Sequence, residues 1–167
     1  MKIQLLAALL IATAVSAQDR AQPLAFLSGQ ELVDRIATAR ARLAKTPNDA
    51  ALQKELGIVL HVHNEKTRTK PEVEEGVAVL KKYLAAHPED TEARAWYGSL
   101  VTMQADYETN PGKQTFLVKL GTRDLDKAVK EKPDDMVIRL IRAHNSLSLP
   151  AFLERRRFAI EDFGYVK

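Results

Sequence analysis

Three short blocks of this chain share one pattern, and that recurrence constrains the fold more than any other feature. They occupy residues 47–57 (PNDAALQKELG), 88–98 (PEDTEARAWYG) and 133–143 (PDDMVIRLIRA), and in each a proline is followed ten positions later by glycine or alanine. Proline cannot continue the helix that precedes it, so each block marks a stop between two helices. Asp49, Asp90 and Asp135 stand where an N-cap belongs. A carboxylate there accepts hydrogen bonds from the first free backbone N–H groups and favours the positive end of the helix dipole. Gly57, Gly98 and Ala143 then fall two turns into the new helix. Glycine in mid-helix costs up to about 1 kcal/mol against alanine, so its return at one register predicts a neighbouring helix too close for a larger side chain. Large residues, Leu56 and Tyr97, precede it in two copies, and Arg142 takes that place in the third.

The rest of the chain reads as further helix. Ser28 and Glu31 form a capping box for a helix over about 29–45, in which Leu32, Ile36, Ala39 and Leu43 make a buried stripe. The first block opens a helix over about 50–65, and a basic loop follows at 66–70. Pro71 suits the first position of the next helix, whose buried stripe is Val73, Val77, Leu80 and Leu84. The second block opens a helix over about 91–107, and Asn110, Pro111 and Gly112 break the chain. A helix over about 113–131 carries Val118, Gly121, Leu125 and Ala128 on one face. The third block opens a helix over about 135–148, and Pro150 starts a last helix to about 163, with Phe152, Phe158, Ile160 and Phe163 as its buried face. That makes an all-α chain of about seven helices with no strand pattern, its helical domain at 28–163 and a short tail at 164–167.

Residues 1–17, MKIQLLAALLIATAVSA, have the form of a secretory signal peptide. Lys2 supplies the positive end, residues 5–14 the apolar core, and Val15 and Ala17 the small residues for cleavage before Gln18. The apolar run is short of the ~20 residues of a membrane span. The expectation is export to a periplasmic or secreted location, with no membrane insertion after cleavage, and with 18–27 as a lead-in segment. The absence of cysteine excludes disulfides, thiol catalysis and zinc–thiolate sites. A formal net charge of +3, spread along mixed-charge helices, does not point to nucleic acid.

Chemistry-bearing motifs are sparse. His61 and His63 lie two apart, so on a helix they point in different directions and do not share a metal, even with Glu65 four residues from His61. No nucleophile signature, glycine-rich phosphate loop or HExxH motif is present. The acids Asp134 and Asp135 are explained by capping. Arg155, Arg156 and Arg157 fan around the last helix and are offset by Glu154, Glu161 and Asp162. Trp96, the single tryptophan, reads as a packed core residue. No catalytic residue, metal or cofactor is expected.

The three blocks resemble the tetratricopeptide repeat, whose first helix carries a large residue followed by a small one, as in Leu56–Gly57 and Tyr97–Gly98. Its second helix carries a small residue five positions before proline, as Ala128 does before Pro133, whereas Arg42 and Tyr83 depart from that pattern. The prolines lie 41 and 45 residues apart, longer than the family's period of about 34. The resemblance spans roughly 31–143 and implies an α-solenoid of antiparallel helices. It further implies a concave groove, lined by the first helix of each repeat, that receives a protein or peptide segment. Carried over by register, the groove residues are Lys54, Ile58 and His61; Glu92, Ala95, Ser99, Thr102 and Met103; and Leu140, His144 and Leu147. Lys54 fits one position of the set by which some members grip a terminal carboxylate, but Ile58, Ser99 and His144 replace its asparagines, so no carboxylate clamp is expected. The function implied is a non-catalytic interaction scaffold. The alternatives are an enzyme or metal-binding protein using His61, His63 or His144, and a structural protein that stacks on itself through its ends.

Overall fold

The computed structural model describes Leu24 and residues 27–166. The signal-peptide reading and most of the lead-in lie outside them. The described residues form seven α-helices and no strand: α1 (Gly29–Lys45), α2 (Ala50–Thr67), α3 (Lys70–Ala86), α4 (Thr91–Gln104), α5 (Pro111–Glu131), α6 (Met136–Ser148) and α7 (Arg156–Tyr165). The chain is therefore all-α. Each helix packs on the next in sequence, and α4 also packs on α2 and on α6.

The three blocks build one turn three times. The N–H groups of Thr46, His87 and Lys132 close the preceding helix on Arg42, Tyr83 and Ala128, and those of Asp49, Asp90 and Asp135 bond back to Thr46, His87 and Lys132. Each aspartate then caps the new helix as expected. Asp49 accepts from Leu52 N at 3.0 Å, Asp90 from Ala93 N at 2.9 Å, and Asp135 from Val137 N and Ile138 N at 3.0 and 3.1 Å. A further element was not anticipated. Six residues after each proline, a side chain donates back to the proline carbonyl: Gln53 to Pro47 at 2.8 Å, Arg94 to Pro88, and Arg139 to Pro133 at 2.5 Å. The proline carbonyl lies in the turn between two helices, with no backbone donor among the turn bonds, and a long polar side chain one turn into the next helix occupies it.

Burial ranks the helices. Ten of 18 residues are buried in α2 and nine of 14 in α4, against three each in α1 and α3. The first pair is interior and the second is amphipathic, with α1 buried along Leu32, Ile36 and Ala39. The recurring small residues have the predicted cause. A Cβ on Gly57 would run into Leu80 of α3, and a Cβ on Gly98 would lie 2.7 Å from the Gly121 carbonyl of α5. Gly121 reciprocates against the Gly98 carbonyl, so α4 and α5 meet backbone to backbone. Ala143 is fully buried.

The ends depart from expectation. Ser28 makes no side-chain cap, because the helix begins on Gly29 in a left-handed conformation (φ 59°) that breaks the capping-box geometry. Asn110, Pro111 and Gly112 do not separate α5 from the break: Asn110 caps it, accepting from Gly112 N and Lys113 N, with Pro111 as its first residue. α4 stops at Gln104 and hands over to a 3-10 turn at Ala105–Tyr107.

The last helix is not the single apolar element expected over 150–163. A 3-10 turn at Ala151–Leu153 ends at Glu154, which is left-handed (φ 55°), and α7 begins at Arg156 and runs into the supposed tail. Phe152 is 82% exposed and Ile160 75%, while Phe158 and Phe163 are half-buried. α7 instead buries Ala159 and Asp162. The reason is charge. Asp162, fully buried, accepts from Arg139 at 2.7 Å and from Arg142 at 2.7 and 2.8 Å, and Glu161 accepts from Arg142 at 3.0 Å. Two buried guanidinium groups on α6 demand a carboxylate, and α7 rotates to supply it. The acids of α7 therefore pair with α6 rather than offsetting the arginine run; Arg155 turns to Asp126 of α5, at 2.7 Å to both oxygens.

Gly98→Leu is expected to overpack the α4–α5 contact and cost about 1–3 kcal/mol. Gly164→Ala, in α7 with open space around it, is expected to be neutral or to stabilise by up to about 1 kcal/mol. Chemical denaturation of both variants checks the pair; a wild-type-like Gly98→Leu would refute the close approach.

Candidate functional site

The first helices after each turn, α2, α4 and α6, place side chains around one polar cleft of about 610 Å³. α2 contributes Asn64, Glu65 and, at its C-cap, Arg68; α4 gives Ser99, Thr102 and Met103; α6 gives His144, Asn145 and Leu147. Such a volume lies within the ~300–1,000 Å³ usual for ligand sites.

Five residues expected to line a groove lie together here: Ser99, Thr102, Met103, His144 and Leu147. The others do not. Ile58 and His61 are buried, 4% and 3% exposed, and face the interior instead of an open surface. Lys54 and Glu92 pair with each other: Lys54 Nζ lies 2.9 Å from Glu92 Oε2 and 3.0 Å from Asp90 Oδ2, joining α2 to α4. Glu92 also accepts from the Trp96 indole at 3.2 Å. Trp96 is buried as expected, its ring meeting His61 edge-on at 4.9 Å.

Beneath the cleft runs a chain of polar groups. Asn64 anchors one side, its Oδ1 accepting from Thr69 N at 2.7 Å. His61 Nε2 lies 2.8 Å from Ser99 Oγ. Asn145 Nδ2 reaches Ser99 Oγ at 3.4 Å and bonds Thr102 Oγ1, which donates to the Ser99 carbonyl at 2.7 Å. Burial, with His144 nearby, lowers the His61 pKa to about 3, so the ring is neutral. Glu65 Oε1 stands 3.9 Å from His61 Nδ1, which has no hydrogen-bond partner. A carboxylate on that side favours the ring proton on Nδ1, leaving Nε2 to accept the Ser99 hydroxyl proton. Partial burial raises the pKa of Glu65 above the ordinary carboxylate range.

A serine against a histidine is the start of a nucleophile–base pair. Three features favour a packed polar network instead. The ring is a weak base, Glu65 stands beyond hydrogen-bond distance, and Ser99 is 2% exposed. His63 diverges from His61, as its spacing requires, and binds Glu72 at 2.9 Å. Among the described residues no group of three or more His, Cys, Asp or Glu side chains is placed to hold a metal ion, and no helix is long and apolar enough to cross a membrane. Asn64 and Asn145 were missed from sequence. The available signal was an asparagine within a helix and away from its N-cap, where its low propensity calls for a partner.

Compared with known protein families, curated proteins and solved structures, the chain matches none.

The neutral, buried state of His61 gives a pH signature. Its folded-state value lies below the ordinary 6.5, so as pH falls the unfolded chain takes up the proton first. The full stability is present above about pH 6.5 and declines towards about pH 3, at about 1.4 kcal/mol per pH unit from this group. His61→Gln, which retains a polar partner for Ser99, is expected to lose that component. Melting both proteins between neutral and mildly acidic pH checks it; identical pH slopes would show that His61 is not held neutral.

Proposed function

We propose that this protein is an exported, non-catalytic interaction scaffold. On this reading it is a tetratricopeptide-like α-solenoid of antiparallel helices that binds a protein or peptide segment across the surface of α2, α4 and α6. The observation that carries the reading is the cleft itself, to which each of those helices contributes side chains. The threefold recurrence of one capped turn, and the packing of α4 on both α2 and α6, support a repeat architecture. Stacked helical repeats present extended surfaces of this kind to partners. Export rests on the pattern of residues 1–17.

A second reading has one observation in its favour. The C-terminal end exposes Phe152 and Ile160, which suit end-to-end stacking of copies.

The test uses the protein from Gln18 onward and a double variant, His144→Glu with Leu147→Glu, both sites being exposed on the cleft. Each is used to capture proteins from an exported-protein extract, and any captured protein is then purified and its affinity measured. The expected result is a partner whose binding weakens at least about tenfold in the variant, the scale of losing an interface anchor. Equal binding to both would remove the cleft as the site. Sedimentation of the same samples separates the second reading, which requires concentration-dependent assembly.

A further inference from the structure

Helix α5 mixes acids and bases in sequence, and the fold sorts them by sign. Its exposed residues Lys113, Phe116, Lys119, Arg123, Lys127 and Lys130 share one arc of about 120° at the helical turn of about 100° per residue. The acids of the helix, Asp124, Asp126 and Glu131, lie outside that arc or on its edge, and each is turned to another element. Glu131 accepts from Arg94 of α4 at 2.5 Å. Asp126 takes the Arg155 guanidinium at 2.7 Å on both oxygens. Asp124, half-buried, lies against Gly98 of α4. Carboxylates reach the stripe only loosely: Lys113 stands 3.9 Å from Glu108, Arg123 3.8 Å from Asp124 and Lys127 3.7 Å from Glu131. Lys119 and Lys130 have no ion-pair partner among the described residues.

The basic surface continues beyond α5. The Arg155–Asp126 pair fixes the start of α7 beside the stripe. There Arg156 and Arg157 are exposed and have no ion-pair partner among the described residues, and Glu154 is the exposed acid of the turn. Two aromatic rings stand among these cations: Phe116, 63% exposed within the stripe, and Phe152, 82% exposed in the turn before α7. Cations alone would suit any polyanion. Exposed rings among them ask for a surface that is anionic outside and apolar just beneath, as a phospholipid headgroup layer is. A nucleic-acid backbone has no apolar layer under its phosphates, and the stripe carries no amide or hydroxyl side chain to read a base edge. Shape agrees with a bilayer: from Lys113 to Lys130 the row follows one helix for about 26 Å, which a flat surface meets along its whole length.

We propose that α5 and the start of α7 form a docking face for an anionic phospholipid bilayer. The lysines and arginines pair with headgroup phosphates, and Phe116 and Phe152 enter the interface beside them. Among the described residues no helix is long and apolar enough to cross a membrane, so the binding is peripheral and weakens as salt screens the charges. α5 contributes no residue to the cleft of α2, α4 and α6. The face therefore goes beyond the peptide-binding reading and leaves the cleft open to a partner at the membrane surface.

The test is co-sedimentation with vesicles of phosphatidylcholine alone or with one third phosphatidylglycerol, at low and at physiological salt. It uses the protein from Gln18 onward, which contains every residue of the described fold and leaves out the apolar run at 5–14. The mixed vesicles are expected to bind the protein and the neutral ones not. Lys119→Glu with Lys130→Glu, at exposed positions without ion-pair partners, is expected to weaken that binding at least about tenfold. Phe116→Ser, also at an exposed position, is expected to weaken it several-fold at unchanged salt dependence. The cleft variant His144→Glu with Leu147→Glu is expected to bind vesicles as the wild type does, so the result is independent of the capture experiment. Equal binding to both vesicle types, binding to neither, or full binding by the charge-reversed protein would overturn the inference. Binding to duplex DNA but not to the mixed vesicles would overturn it in favour of a nucleic acid.

Discussion

The backbone contact between α4 and α5 is the constraint on which the rest of the structure depends. At Gly98 and Gly121 each helix places a carbonyl oxygen where the other would carry a side chain. Only glycine at both positions permits that distance, and the approach fixes the rotation of α4 about its own axis. Successive helical residues are separated by about 100°, so once Gly98 faces α5, Ser99 turns towards α2 and α6. Thr102, one turn on from Gly98, keeps its methyl group against Gly121 and extends its hydroxyl to Asn145 of α6. There Ser99 meets His61 and Asn145, and Thr102 meets Asn145. The same rotation seats Trp96 against the His61 ring. One packing contact thus positions both the apolar centre and the polar floor of the cleft.

The core changes character along the chain. From α1 to α5 it is aliphatic, closed by residues such as Leu56, Leu60, Leu80, Leu100 and Leu125. Between α6 and α7 it is ionic, with Asp162 enclosed by Arg139 and Arg142, and Arg142, Arg155 and Arg157 arranged over the Phe158 ring. Apolar contact tolerates many rotations of a helix, whereas a buried carboxylate between two guanidinium groups tolerates very few. Such a network is weak evidence for added stability, because desolvation offsets most of the attraction. Its consequence here is orientation: it holds Ile160 and, through the turn at Glu154, Phe152 on the outside.

The parts of this fold that were legible in the sequence are those set by local chemistry. Proline, an acidic cap and a mid-helix glycine act within a few residues of themselves, so the turns at 46–49, 87–90 and 132–135 and the close approach at Gly98 could be read directly. What was not legible depends on residues far apart. Asp162 reads as a surface acid until Arg139 and Arg142 are brought to it, and Phe152 and Ile160 read as buried until that pairing turns the helix. The candidate site divides in the same way. Ser99, Thr102, Met103, His144 and Leu147, grouped by helical register, lie on one cleft. Register cannot tell that Ile58 and His61 lie on the packed side of α2, or that Lys54 and Glu92 find each other, because both outcomes depend on how closely α2 meets α4. Asn145 escaped notice because its partners, Ser99 and Thr102, lie on α4, far from it in sequence.

The central claim is that α4 holds a neutral, hydrogen-bonded network beneath the cleft, with its protons in a definite order. The most direct measurement is nitrogen NMR of the His61 ring as pH is lowered. The account predicts a neutral ring protonated on Nδ1, with Nε2 accepting from Ser99, and no change down to about pH 5, well below the ordinary histidine range. A ring that takes up a proton near the ordinary value, or that carries its proton on Nε2, would contradict it.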